Sequence, residues 1–289
     1  MKIESKYVTV DGIRTHYLET GAGPDVVLLH SGEFGAAAEI SWEFTLPALA
    51  PHFHLIAPDW LGFGETDKLY DFADPRGRVY RHMQRFVESV GIRVADFIGS
   101  SMGASNLVQI AAEQPTLLPI RSIVLSSGGG FVPITPERKT LLGYDGTPAT
   151  MSAAINAMFH DPKWGYDAGY VARRQHFALM PGAWECASAP RIQLPGTGQS
   201  KTSFGKPDSI RYEKIAVPTL IVAGAEDRLR EPGYALKLAE RIKGSEVHVL
   251  ERCGHCPNIE RADSFNAIVI AFLKKVQAQA GHRRETLHT

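Results

Sequence analysis

Residues 94–113 constrain the fold more than any other part of the chain. They run from the apolar stretch Val94-Ala95-Asp96-Phe97-Ile98 through Gly99-Ser100-Ser101-Met102-Gly103 into an Ala-rich stretch that ends at Glu113. The pattern reads as a strand, a turn of small residues and a helix, with Ser101 at the centre of a Gly-x-Ser-x-Gly motif. Two glycines leave room for a tight strand-to-helix reversal in which the central serine takes a strained conformation and lifts its hydroxyl clear of the sheet. Such a turn is a nucleophile elbow. The next backbone N–H, from Met102, falls at the helix N-terminus, where unpaired amides and the dipole favour a developing oxyanion. The motif alone also fits a Ser-rich surface turn, so the flanking strand and the helix with Ala104, Leu107, Val108, Ala111 and Ala112 carry the assignment.

A serine hydroxyl becomes a good nucleophile only when a base takes its proton, and that base needs an acid to orient it. Elbows of this kind are followed in the chain by the acid and then the histidine, each on a loop after a strand. Residues 217–223, Val-Pro-Thr-Leu-Ile-Val-Ala, form an apolar strand that runs into Gly224-Ala225-Glu226-Asp227. Asp227 is the predicted acid, with Glu226 its nearest rival; Asp59 and Asp96 read as structural. Glu246 to Leu250 alternates as a strand does and leads to Cys253-Gly254-His255-Cys256-Pro257. Of the 11 histidines, His255 alone sits in a Gly-containing loop after a strand and downstream of the acid, which makes it the predicted base.

Four further segments carry a closer likeness: Ala57 to Asp67 (APDWLGFGETD), Tyr144-Asp145-Gly146-Thr147, Phe159-His160-Asp161-Pro162, and Pro181-Gly182-Ala183-Trp184-Glu185 leading to Arg191. Over nearly its whole length the chain resembles the α/β-hydrolases. Within that superfamily it is similar to the meta-cleavage-product hydrolases, which split C–C bonds in ring-opened aromatic catabolites. The resemblance implies an α/β fold with a mainly parallel eight-stranded sheet flanked by helices and a helical lid inserted after the sixth strand. Residues 1–130 and 212–289 would form the core, and 131–211 the lid.

The same resemblance implies that Gly32, in the loop His30-Ser31-Gly32-Glu33-Phe34-Gly35, supplies the second oxyanion donor. Ser31 and Glu33-Phe34 depart from the glycines and Gly-Pro usual in that loop, and Glu33 and Phe34 become candidates to reach the pocket. Relatives hold the dienol-carboxylate with an asparagine before the serine, an arginine in the lid and a tryptophan after the histidine. Here those positions are Ser100, Arg191 and Cys256. Arg191 keeps its chemistry, since a guanidinium pairs bidentately with a carboxylate; a salt bridge on the lid surface is the plainer alternative. Trp184 joins the candidate substrate-binding set. The activity implied is hydrolysis of the C–C bond of a 2-hydroxy-6-oxo-2,4-dienoate, with ketonisation before attack. A monoester with a free carboxylate, cleaved as by a carboxylesterase, is the alternative, and a receptor on the same scaffold is the non-enzymatic one.

Composition narrows the partners. The chain has 289 residues, enough for one large core with an insertion, and 31 basic residues balance 31 acidic ones. No basic surface for nucleic acid or an anionic membrane is expected, and the substrate's charge must be met locally. The polar opening Met1 to Lys6 and the lack of a long apolar run predict a cytoplasmic protein; a homo-oligomer, dimer or higher, is implied only by resemblance. Three cysteines, Cys186, Cys253 and Cys256, make no disulfide framework, and Cys253-Gly-His-Cys256 has no second Cys/His cluster with which to complete a zinc site. No metal or other cofactor is expected. Gly128-Gly129-Gly130 lacks the spacing of a dinucleotide loop.

An Asp11-Gly12 turn predicts an opening hairpin from residues 7–12 and 13–19. Strands follow at 25–30, 54–58, 94–98, 121–126, 217–223 and 246–250, and helices at 79–91, 102–113, 233–243 and 262–277, with a frayed tail from Gly281. About ninety residues between the strands at 121–126 and 217–223 read as helix and loop, placed to cover the C-terminal strand ends where ligands bind in open sheets.

Overall fold

Eight strands form one sheet: β1 (Glu4–Val10), β2 (Ile13–Thr20), β3 (Asp25–Leu29), β4 (His54–Pro58), β5 (Ala95–Ser100), β6 (Ile120–Ser126), β7 (Thr219–Gly224) and β8 (Glu246–Leu250). The structure, a computed structural model, describes residues 2–192 and 204–286. Spatial order is β1-β2-β4-β3-β5-β6-β7-β8, with β1–β2 and β2–β4 antiparallel and every other pair parallel. The Asp11-Gly12 turn has both residues at positive φ, the geometry that a two-residue hairpin needs.

The apolar runs of the central strands are continuous because helices cover both faces of the sheet. Side chains alternate between the two. Val27, Leu29, Phe97, Ile123, Leu125 and Ile221 point into one cluster, with Tyr80, Met83 and Phe86 of α3 (Pro75–Ser89), Leu107 and Val108 of α4 (Met102–Ala112) and Leu238 of α10 (Tyr234–Arg241). Val26, Leu28, Ile98, Val124, Leu220 and Val222 point into the other, against Trp42 of α1 (Ala38–Trp42), Leu46 and Leu49 of α2 (Thr45–Leu49) and Phe265, Val269 and Leu273 of α12 (Ala262–Thr286). Each such buried side chain contributes roughly 1.5–3 kcal/mol.

Between β6 and β7 lie α5 (Pro136–Leu142), α6 (Pro148–Met158), α7 (Lys163–Tyr166), α8 (Ala168–Ala178) and α9 (Ala183–Ser188). Prolines at the first turns of α5 and α6 and side-chain caps from Thr135, Thr147 and Asp167 start three of them. Their apolar faces gather in a third cluster with Phe34, Ala37, Ile40, Leu229, Cys256 and Ile259, all at or beyond the C-terminal strand ends. The inserted segment therefore sits on the loops that carry the site. Part of the expected 131–211 stretch, residues 193–203, lies outside the described residues.

Two differences from the sequence expectation have simple causes. Helices α1 and α2 are too short, at five residues each, to show a helical period. Helix α12 runs to Thr286 instead of stopping near 277, because no proline follows to end it. The remaining helix, α11 (Pro257–Glu260), follows the histidine loop.

Candidate active site

The parallel strands all deliver their C-terminal ends to one edge, and the candidate residues lie on the loops that leave it. At the end of β5, Ser101 has φ 51° and ψ −106° and serves as the N-cap of α4. A non-glycine residue at positive φ is strained, and the neighbours hold it there: Ser101 N–H donates to Ser126 O at 2.8 Å, and Ser101 O accepts from Ser105 N–H at 2.9 Å. Crowding explains the glycines. A Cβ on Gly103 would meet the backbone of Leu29 and His30, and one on Gly99 would meet the backbone of Gly103 and Ala104.

His255 Nε2 lies 2.8 Å from Ser101 Oγ, and His255 Nδ1 lies 2.8 Å from Asp227 Oδ2. The other carboxylate oxygen of Asp227 accepts from Leu229 N–H at 2.9 Å. Burial alone would push the Asp227 pKa up. The His255 charge and hydrogen bond, with Arg230 and the Leu229 amide, bring it below the usual carboxylate range instead. An ionised Asp227 thus faces the imidazole.

Glu226 points elsewhere. Its carboxylate accepts from Cys253 N–H at 2.8 Å and its own N–H donates to Cys253 O at 3.0 Å, so it staples the acid loop to the histidine loop. Glu226→Gln should consequently lower Tm by a few degrees and change kcat/KM far less than a change at Asp227, as thermal melts and ester kinetics would show.

Gly32 sits directly against Met102, where any side chain on it would collide with the methionine. The loop of Gly32 therefore packs on the first residue of α4, and the Met102 N–H there has no intrahelical acceptor. The Gly32 loop is held from behind by His30. Its Nε2 accepts from Trp60 N–H at 2.9 Å, and its Nδ1 lies 2.5 Å from Ser31 O. Full burial lowers the His30 pKa and keeps the ring neutral, as this bonding requires. Asp59 ties the adjoining loops through His16 Nδ1 at 2.7 Å, Ala38 N–H at 2.7 Å and Glu65 N–H at 2.8 Å. Asp96 instead binds Arg121 and Ser122 at the other end of β5.

The inserted segment also grips the histidine loop. His255 N–H donates to Met158 O at 2.7 Å. The Glu260 carboxylate accepts from Gly254 N–H at 2.6 Å, His160 N–H at 2.8 Å and Asp161 N–H at 2.9 Å. The Phe159-His160-Asp161-Pro162 segment thus has a physical role in holding the base. Arg138 reaches Leu229 O at 2.7 Å, and Arg230 holds Ser127 O, Gly129 O and Phe131 O at 2.6–3.2 Å, which fixes the acid loop against the loop after β6.

The expected pocket residues divide into two groups. Phe34 is the hub of the outer one: its ring lies 5.0 Å from Tyr144 and 6.4 Å from Trp184, and the Arg191 guanidinium lies 5.0 Å over it. Arg191 donates to Ser188 Oγ at 3.1 Å and has no carboxylate partner among the described residues. Ser100 is buried, paired in register with Ser126 between β5 and β6. Cys256 is buried at the start of α11, with its thiol pushed well up by burial and by Glu33. No group of three or more His, Cys, Asp or Glu among the described residues is arranged to hold a metal.

Glu33 belongs to the inner group, and it brings in a residue that the sequence reading missed. Its Oε1 accepts from Arg174 Nη1 at 2.7 Å and from Ser31 Oγ at 2.9 Å, with both charged side chains almost fully buried. Arg174 lies on the apolar stripe of α8, in phase with Tyr170, Val171, Phe177 and Ala178. An arginine in the middle of a buried stripe was the available signal.

The alpha/beta hydrolase family model matches residues 26–268. The chain belongs to the alpha/beta hydrolase family. Among its relatives, the 2-hydroxy-6-oxo-6-(2'-aminophenyl)hexa-2,4-dienoic acid hydrolase of Metapseudomonas resinovorans is 29% identical, over 93% of this chain and 91% of that protein. The 2-hydroxy-6-oxononadienedioate/2-hydroxy-6-oxononatrienedioate hydrolase of Burkholderia vietnamiensis is 30% identical, over 94% and 96%. A solved meta-cleavage product hydrolase of Pseudomonas fluorescens IP01, a serine-to-alanine mutant complexed with acetates, superposes with a TM-score of 0.83 at 25% identity, over 93% of this chain and 97% of that one. No helix among the described residues is long and apolar enough to cross a membrane.

Proposed function

We propose that this α/β-hydrolase cleaves the C–C bond of a 2-hydroxy-6-oxo-2,4-dienoate, a meta-ring-cleavage product of aromatic catabolism. The observation that carries the proposal is the Ser101–His255–Asp227 relay at 2.8 Å per link, its histidine loop held by Met158 O of an inserted segment whose Arg191 has no carboxylate partner among the described residues. Relatives named for this reaction align with nearly the whole chain.

In this reading the dienol first ketonises, so that the departing carbon fragment can accept the electrons of the breaking bond. Ser101 Oγ, losing its proton to His255, adds to the 6-oxo carbon, and the Gly32 and Met102 amides receive the oxyanion. Breaking the C–C bond, with the proton on His255 passed to the departing carbon fragment, leaves an acyl-serine, which water hydrolyses with the neutral His255 again as base. Residues 131–211 act as the lid, and Trp184 and Phe34 wall the pocket beneath it. Arg191 takes the substrate carboxylate; Arg174 is already neutralised by Glu33. A carboxylate-bearing monoester is the second reading, favoured by Ser100 and Cys256, neither of which offers the amide or indole donors of the meta-cleavage hydrolases.

Arg191→Ala tests the carboxylate assignment. A charge-assisted bidentate contact of roughly 1.5–3 kcal/mol corresponds to about 10- to 200-fold in kcat/KM for acidic substrates, with little change for neutral esters. Equal losses on both would remove Arg191 from the pocket. Product analysis tests the reaction itself: a 2-hydroxy-6-oxodienoate should yield two acids as its visible chromophore fades, and recovery of intact dienoate would refute it.

A further inference from the structure

We infer that the groove between helix α3 and the turn of the β1–β2 hairpin is a binding site for a small phosphate-bearing anion, separate from the Ser101 site. Arg78, Arg81, His82 and Arg85 line it at positions i, i+3, i+4 and i+7 of α3, which makes them one stripe of the helix, and the hairpin contributes Asp11. The groove encloses about 270 Å³, room for a phosphate group with a small organic residue. It shares no lining residue with the catalytic site.

Three guanidiniums along one stripe repel one another, and the fold offsets only part of that repulsion. Arg81 pairs with Asp74 at 2.9 Å and Arg85 with Glu88 at 2.9 Å, whereas the half-buried Arg78 has no salt-bridge partner among the described residues. His82, in the same stripe, is only 4% exposed. Its Nε2 meets Thr15 Oγ1 at 2.9 Å, and its Nδ1 is buried with no hydrogen-bond partner. Thr15 has one hydroxyl proton, and its contact with Nε2 is shorter than the 3.3 Å contact with Ile13 O. Donation to Nε2 leaves the ring proton on Nδ1, a buried donor that lacks an acceptor. Burial and the Arg78 charge lower the His82 pKa to about 4, so the ring is neutral. An anionic oxygen in the groove, direct or through one water, satisfies that N–H and neutralises Arg78 together. A carboxylate has two oxygens and is filled by one guanidinium. A phosphate group, with three terminal oxygens and nearly two negative charges, suits several converging guanidiniums better. Asp11 is then an acceptor for a hydroxyl on the organic part of an ester.

The test is titration of the full chain with inorganic phosphate and with ribose 5-phosphate at low ionic strength, followed by calorimetry. One ligand per chain is expected, with affinity weakened about tenfold or more in Arg78→Ala. Arg93→Ala removes an exposed arginine outside the groove, matches the change in net charge, and should bind as the parent does. Hydrolysis of p-nitrophenyl acetate should be unchanged in Arg78→Ala, which shows that the variant is folded and that the groove is not the catalytic site. Tighter binding of ribose 5-phosphate identifies an ester as the ligand, and equal binding identifies free phosphate; each supports the site. No saturable binding, equal weakening by Arg78→Ala and Arg93→Ala, or binding lost in Arg191→Ala and retained in Arg78→Ala would overturn the inference. None of these readouts depends on the C–C reaction.

Discussion

Ser101→Ala is expected to fold as the parent does and to lose roughly four to six orders of magnitude in kcat. Its backbone conformation is imposed by Ser126 O, Ser105 N–H and the packing at Gly99 and Gly103, none of which involves the hydroxyl. Only the 2.8 Å contact with His255 disappears. Binding groups and oxyanion donors remain, so a small residual rate over water should persist. Matching circular dichroism spectra with a lost burst of product would show this. A rate within tenfold of the parent would remove Ser101 as the nucleophile.

Asp227→Asn is expected to lower kcat by about 10⁴-fold with the fold retained. The amide nitrogen would face His255 Nδ1 as a donor, favouring the tautomer that carries its proton on Nε2, which cannot accept from Ser101 Oγ. The Leu229 N–H bond can survive through the amide oxygen, which is why stability should change less than activity. Because Glu226 is engaged with Cys253 at 2.8 Å, it cannot substitute as the acid. The side chains of 226 and 227 should therefore separate cleanly in kinetics: large loss at 227, small loss at 226.

The sheet was legible because its physics is local. Val26 to Leu29, Phe97-Ile98, Ile123 to Leu125 and Leu220 to Val222 are apolar at every position, as strands covered on both faces must be, and the Asp-Gly turn announces the opening hairpin. The elbow was legible for a related reason, since crowding against Leu29 and Ala104 leaves only glycine at 103 and 99. Glu33–Arg174 was not. It joins residues 141 positions apart, and neither local pattern names the other. Glu260 was hidden in the same way, because its three amide partners come from Gly254 and from His160 and Asp161, about a hundred residues away. Pairings of this kind depend on where the inserted segment lands. The phase of α8 could have signalled that Arg174 is buried, but not which carboxylate meets it.

The most direct test of the central claim is a side-by-side kcat/KM measurement on the parent enzyme with a 2-hydroxy-6-oxo-2,4-dienoate and a carboxylate-bearing monoester. C–C hydrolysis at Ser101 predicts loss of the dienoate's visible absorbance with release of two acids, at a kcat/KM well above that for the ester and abolished in Ser101→Ala. A higher kcat/KM for the ester, with the dienoate chromophore unchanged, would contradict it.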